Sequence, residues 1–353
     1  MIISKKKPIY KINERLKLYL ERYDREVKLP ISYEDLTRWS QGMTLYDADG
    51  KDTLWESVIY PNSDMEQLQT GLTKIYALLK TDGDTEVIGH LRVDRIDYCH
   101  FGNSKPFRIK IKNQFNDNHD YFYIKKADAS RVYGLELEYI LSPNRISFIV
   151  DGSTLVEEHI AGIPGDIYID RYMMSEQVNK AGLAKEFVKF NERCFVLLLG
   201  DMRSYNYVID VTPDFDREQY RVRPIDFDQQ TYEGRRQMYL PQFFKENLPV
   251  VEFCTEILTP VTVNQYQYEE RVLIKKRYLL AQKRLNLLLD CMSKDEISRP
   301  EKVKRLKTEL NAYHQTRRFN RCVSMGGILR LHLLLMLGKP KPKRLRGKTS
   351  FKS

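Results

Sequence analysis

Residues 196–228, VLLLGDMRSYNYVIDVTPDFDREQYRVRPIDFD, decide how the rest of the chain is read. The stretch opens within an apolar run, Phe195 to Leu199, short enough for a buried strand that enters a site. The run stops at Gly200-Asp201, and Asn206 follows the aspartate by five positions. Tyr207-Val208-Ile209 has strand composition and a polar hairpin follows. Arg221 to Ile225 predicts a second strand, which ends in Asp226-Phe227-Asp228. Acidic and amide side chains therefore gather at strand ends and in the loop between them, where oxygen ligands for a hard cation are usually found.

The chain before this stretch is rich in strands. Val87 to Tyr98 alternates loosely, Phe107 to Asn113 alternates cleanly, and Tyr121 to Lys126 predicts a third strand. Asp128-Ala129-Ser130 has the composition of a helix start, and Arg131 to Leu141 continues it with Glu136 and Glu138 as inward candidates. Glu138 lies between Leu135 and Leu141 on an apolar stripe. Ser147 to Val150 and Thr154 to Glu158 predict two more strands. Before residue 88, helices are expected over Ile12 to Tyr23 and from Ser63 to Leu79. After Asp228 the reading is almost wholly helical: Pro241 to Leu258, Tyr266 to Cys291, Pro300 to His314 and Arg317 to Leu337.

An Asp with an Asn five positions on, a β-hairpin, then Ile-Asp-Phe-Asp, resembles the catalytic core of the protein-kinase-like superfamily. The likeness is nearer to the aminoglycoside and choline phosphotransferase style than to the eukaryotic protein kinases. It implies an α+β, bilobal fold: an N-terminal extension (1–88), an antiparallel β N-lobe and hinge (89–162), a mainly helical C-lobe (163–338) and a basic tail (339–353). It also implies ATP and Mg2+ as cofactors. Asp201 is then the group facing the attacking hydroxyl, and Asn206 and Asp226 are metal ligands, with Asp228 as an additional acidic contact. Lys125 or Lys126 holds the nucleotide phosphates, and Glu138 or Glu136 pairs with that lysine. The backbone of Glu158 and Ile160 takes the place of the hinge that meets adenine, and Phe101 to Pro106 the place of the phosphate-covering loop. The sequence departs from the pattern at Leu199, where relatives carry a bracing histidine, and in that loop, which holds one glycine. It also departs in the length of the hairpin from Pro213 to Tyr220.

Composition bounds these expectations. With 353 residues, 42% hydrophobic and 30% charged, the chain can bury a sizeable core. The five cysteines (99, 194, 254, 291 and 322) are odd in number and never spaced CxxC, which fits a reducing, cytoplasmic setting without disulfide framework or zinc site. MIISKKKPIYK lacks the apolar core of a signal peptide. Ile328 to Leu337 is about half a membrane span and carries Arg330 and His332, so a buried helix is expected and no transmembrane segment. Net charge is +10, but Lys339 to Ser353 holds seven Lys or Arg and no acid, which leaves +3 for the body. The tail could touch a polyanion, nucleic acid or acidic lipid, or simply keep the chain soluble. The expected function is transfer of the ATP γ-phosphate to a hydroxyl of a small molecule or a protein. The alternative is a kinase-like scaffold without turnover.

Overall fold

The computed structural model describes residues 7–80, 88–214 and 218–338. Helix α1 (Glu14–Arg22) starts at Asn13, whose side-chain oxygen accepts the Leu16 N–H at 2.9 Å. Its apolar side (Leu16, Tyr19, Leu20) is buried. Helix α2 (Tyr33–Leu36) begins with a reciprocal Ser32–Asp35 capping box. An antiparallel hairpin that sequence reading missed follows, β1 (Gln41–Tyr46) and β2 (Asp52–Ile59). Its first strand is exposed along nearly its whole length, so no inward–outward alternation was there to be read. Helix α3 (Asn62–Lys80) follows, ending next to residues 81–87, which lie outside the described residues.

Strands β3 (Leu91–Cys99), β4 (Phe107–Asn113) and β5 (His119–Lys126) come next, then helix α4 (Ala129–Leu141) and strands β6 (Phe148–Asp151) and β7 (Thr154–Glu158). Together with β1 and β2 they form one antiparallel sheet of order β1-β2-β3-β4-β5-β7-β6. Strands β1 and β2 of the N-terminal segment thus belong to the same sheet, β2 pairing with β3. One face of the sheet is apolar because alternate residues Phe107, Ile109, Ile111, Phe122, Ile124 and Val156 all point to it. These pack with Leu68, Leu72 and Ile75 of α3 into one hydrophobic core. Burying each such side chain contributes on the order of 2 kcal/mol.

The opposite face divides in two. Beneath α4 it is apolar, through Phe148, Val150 and Leu155, which join the core of the C-terminal half. Toward β3–β5 it carries charge instead: Asp97 and Arg108 pair at 2.7 Å, and Tyr123, Lys125 and Glu157 follow on the same face.

Beyond β7, residues 159–162 lead to the short strand β8 (Ile163–Pro164) and helix α5 (Gly165–Arg171). Gly162 has φ +151°, and a Cβ there would meet Val208 at 2.8 Å, so the turn needs glycine. Helix α6 (Lys180–Leu197) then delivers the apolar run 195–199. This corrects the expected strand: Phe195 to Leu197 finish a helix, and Leu198 caps it in the left-handed region, φ 50°. A run buried on every side has no period that separates strand from helix. Strands β9 (Tyr207–Pro213) and β10 (Glu218–Pro224) pair in the register Tyr207↔Pro224 and form a small sheet with β8. Residues 215–217 at the hairpin tip lie outside the described residues.

The remainder is helical: α7 (Leu248–Ile257), α8 (Pro260–Leu280), α9 (Gln282–Ser293), α10 (Pro300–His314) and α11 (Met325–Leu337). Pro249 sits in the first turn of α7, where its missing N–H costs nothing, and does not interrupt the helix. The single helix expected over Tyr266 to Cys291 is two, parted at Ala281, and no proline or glycine marks the break. α11 is buried and carries His332, which is fully enclosed. Among the described residues no helix is long and apolar enough to cross a membrane, and all five cysteines are unpaired. The tail 339–353 lies outside the described residues.

Candidate functional site

Two loops meet beside the start of α4. The first, residues 198–206, runs from the end of α6 into β9, and the second, 225–231, follows β10. The Ile225 N–H donates to the Asn206 carbonyl at 3.0 Å, so Asn206 lies beside the chain entering Asp226. The Asn206 side-chain N–H donates to the Asp201 carbonyl at 2.7 Å. Only the amide nitrogen can donate to a carbonyl, which leaves its Oδ1 without a partner among the described residues. Asp201 adopts φ +59°, a conformation aspartate tolerates better than most residues. Arg203 Nε donates to Asp201 Oδ1 at 2.9 Å, and its Nη1 reaches Glu246 at 2.7 Å. Burial pushes the Asp201 carboxyl up, against the pull of Arg203.

The end of α6 is braced by contacts that sequence reading did not find. Gln230 Nε2 donates to the Leu197 carbonyl at 2.7 Å, and the Thr231 N–H donates to the Leu198 carbonyl at 2.8 Å. Ser130 at the start of α4 donates to the Gln230 carbonyl at 2.9 Å. The glycine of α4 explains how close these parts lie: a Cβ at Gly134 would stand 3.0 Å from Phe227 Cβ and 3.1 Å from Gln230 Cβ.

At the centre is a buried charge cluster. Arg131, in the first turn of α4, grips Glu157 with Nε and, at 2.8 Å, with Nη2. Its Nη1 donates to Asp226 Oδ1 and Asp228 Oδ1, both at 2.9 Å. Lys125 Nζ reaches Glu157 Oε2 at 2.7 Å. Thus the helix supplies a cation and the strand an anion. Burial would raise the Glu157 carboxyl, but Arg131 and Lys125 outweigh it and hold it down to about 2. Burial, with Arg131 adding to it, pushes the Lys125 ammonium down. The Asp226 carboxyl goes up to about 6, through burial and the adjacent Asp228.

Of the two lysines weighed from sequence, Lys125 faces the cluster. Lys126 is exposed on the other side, its ammonium 5.3 Å from the Tyr33 ring centroid. The glutamates expected to pair with the lysine do not. Glu136 is held by Tyr19 and Arg284, each at 2.6 Å. Glu138 is buried toward Arg193, and burial pushes its carboxyl up. Both lie beyond the first turn of α4, on faces turned to α1, α9 and the C-terminal core, so neither reaches Lys125. Signals for the true partners existed. Glu157 is an acid two residues from Leu155 on one strand face, and Arg131 is a cation in a helix's first turn, where the dipole disfavours it.

The Glu158 side chain is committed to structure, accepting the Ser147 N–H at 2.7 Å, and Ile160 is buried, so only main chain is offered there. The loop 101–106 approaches the lysine end of β5, the Lys126 N–H donating to the Ser104 carbonyl at 3.3 Å.

The donor set suits a hard cation. Asp226 and Asp228 engage Arg131 through Oδ1, and among the described residues neither Oδ2 has a hydrogen-bond partner, while Asn206 adds an amide oxygen. Among the described residues no group of three or more His, Cys, Asp or Glu is arranged as a metal site, so any ion here needs water or ligand oxygens as well. No protein-family model matches this chain, and a search of curated proteins finds no relative.

Proposed function

We propose that the chain is an ATP/Mg2+-dependent phosphotransferase of bilobal, protein-kinase-like build, moving the γ-phosphate to a hydroxyl of a small molecule or protein. One observation carries the reading. Asp201, Asn206, Asp226 and Asp228 lie on two loops tied to each other, and a buried lysine is linked to Asp226 and Asp228 through Glu157 and Arg131. Phosphoryl transfer asks mainly for positioning and for neutralising charge on the transferred group. Asp226, Asp228 and the Asn206 amide oxygen would hold Mg2+, which when bound shields the phosphate oxygens. Lys125 supplies a fixed positive charge whose direction Glu157 sets. Asp201, with one oxygen held by Arg203, orients and accepts the proton of the acceptor hydroxyl.

A second reading, a kinase-like scaffold without turnover, is favoured by the Arg131 guanidinium, which already occupies one oxygen of each of Asp226 and Asp228. Mg2+-dependent ATP binding and hydrolysis, wild type against Asp226→Asn, separates the two. The phosphotransferase is expected to bind and turn over ATP with Mg2+ and to lose both in the variant. Absence of nucleotide binding in the wild type removes the first reading.

A further inference from the structure

Apart from the carboxylate cluster, a cavity of about 450 Å3 opens between the segment after Asp228 and α10. Its wall carries three arginines, Arg235, Arg236 and Arg305, with one carboxylate, Glu309, beside Tyr313. That carboxylate is already engaged: Oε1 accepts from Arg305 Nε at 3.2 Å, and Oε2 accepts the Arg236 backbone N–H at 2.6 Å. No acidic side chain pairs with Arg235 or Arg236 among the described residues. Arg236 is partly buried and its guanidinium is oriented, its carbon 5.2 Å from the Tyr313 ring centroid and 5.9 Å from that of Phe195.

We propose that this cavity binds a phosphate-bearing ligand. The charge count selects phosphate over carboxylate. Three guanidiniums against one carboxylate leave a lining of +2, which a phosphomonoester, at about −1.5 to −2, balances and a lone carboxylate does not. The planar donor fork of arginine also matches phosphate oxygens two at a time. The volume falls in the ordinary range for ligand cavities, roughly 300 to 1,000 Å3. Occupancy reaches the candidate site through one residue. The Met238 N–H donates to the Arg235 carbonyl at 3.1 Å, and the Met238 carbonyl accepts the Asp201 N–H at 3.0 Å. A ligand that orders Arg235 and Arg236 therefore steadies the backbone of Asp201. The cavity and its charge stand whether or not the chain transfers phosphoryl groups.

Calorimetric titration of the full chain with pyrophosphate, without Mg2+ or nucleotide, tests the site. Saturable binding is expected, weakened at least tenfold by Arg236→Gln and by Arg305→Gln and unchanged in Asp226→Asn. Circular dichroism checks the fold of each variant, and the exposed Arg235→Gln serves if either of the others is unfolded. Phosphatidylcholine vesicles with and without phosphatidic acid distinguish the source. Sedimentation with the phosphatidic acid vesicles that Arg236→Gln abolishes identifies a lipid headgroup. Pyrophosphate binding without such sedimentation identifies a soluble phosphate compound. Failure of pyrophosphate to saturate, or equal affinity in wild type and the folded arginine variants, overturns the proposal.

Discussion

Lys125 and Glu157 stand diagonally across neighbouring strands, Nζ to Oε2 2.7 Å, on the same face of the sheet. The pairing is between strand and strand, while α4 contributes Arg131, which holds the other side of the same glutamate. If Lys125 steadies a nucleotide phosphate, Glu157 sets its direction. Glu157→Gln is expected to raise the KM for ATP about tenfold or more, roughly 1.4 kcal/mol. Glu138→Gln, far from the lysine, should leave that KM unchanged. Steady-state kinetics on both variants check it, and the opposite ranking would remove Glu157 from the nucleotide site.

Arg131 balances three carboxylates in a buried setting. Its removal leaves them facing one another with Lys125 as the nearest cation, so Arg131→Met is expected to destabilise the fold by about 3–5 kcal/mol. Arg131→Lys should recover only part of this, since an ammonium does not reproduce a fork that bonds Glu157, Asp226 and Asp228 at once. Urea unfolding at neutral pH measures both. A loss below about 1 kcal/mol for the methionine variant contradicts the cluster's role.

The raised Asp226 carboxyl gives a prediction with a definite sign. Its ordinary value is 3.8 and its folded value about 6, so the ionised group is disfavoured by the fold. That penalty is absent below pH 3.8, grows as pH rises to about 6, and is constant above it. Asp226→Asn should therefore be more stable than wild type above pH 6 by about 1–2 kcal/mol, allowing for the third of the side chain that meets solvent. The gain vanishes in acid. If the proposed site holds Mg2+, that binding should in contrast be lost in the variant at every pH. Thermal unfolding from pH 4 to 8, with and without Mg2+, reads both effects.

His314 and His332 form a neutral pair in the C-terminal core. His332 Nε2 donates to the Phe195 carbonyl at 3.0 Å, which makes its Nδ1 the acceptor for the His314 Nε2–H at 2.9 Å. Burial lowers both groups, His314 to about 4 and His332 to about 3, from the ordinary 6.5. A depressed histidine contributes no loss above pH 6.5 and destabilises progressively as pH falls from there toward 4. Unfolding free energy is expected to drop by a few kcal/mol across that interval. His332→Leu should flatten the slope even where it lowers stability overall. An unaltered pH slope in that variant rules the pair out as its source.

Much of the architecture was legible along the chain. β4, β7 and α10 begin and end at the residues read for them from the sequence, β4 by its clean alternation and α10 with Pro300 in its first turn. Asp201 and Asn206, five positions apart, share one loop and one hydrogen bond, a nearness that local spacing makes legible. What local pattern could not reach were contacts between distant residues. Gln230 bracing Leu197 joins residues 33 positions apart, and Arg131 to Asp228 joins residues 97 apart.

By itself, the sequence determined which segments alternate, which are amphipathic, and where oxygen-bearing side chains gather at strand ends, because those properties depend on neighbours within a turn or a pleat. Only the tertiary structure decided that Lys125 meets Glu157 rather than Glu136 or Glu138, and that an arginine from α4 completes the cluster. The reason is that two buried acids on a helix look alike in sequence, and which cation each one finds is set by which elements the hydrophobic cores press against its face.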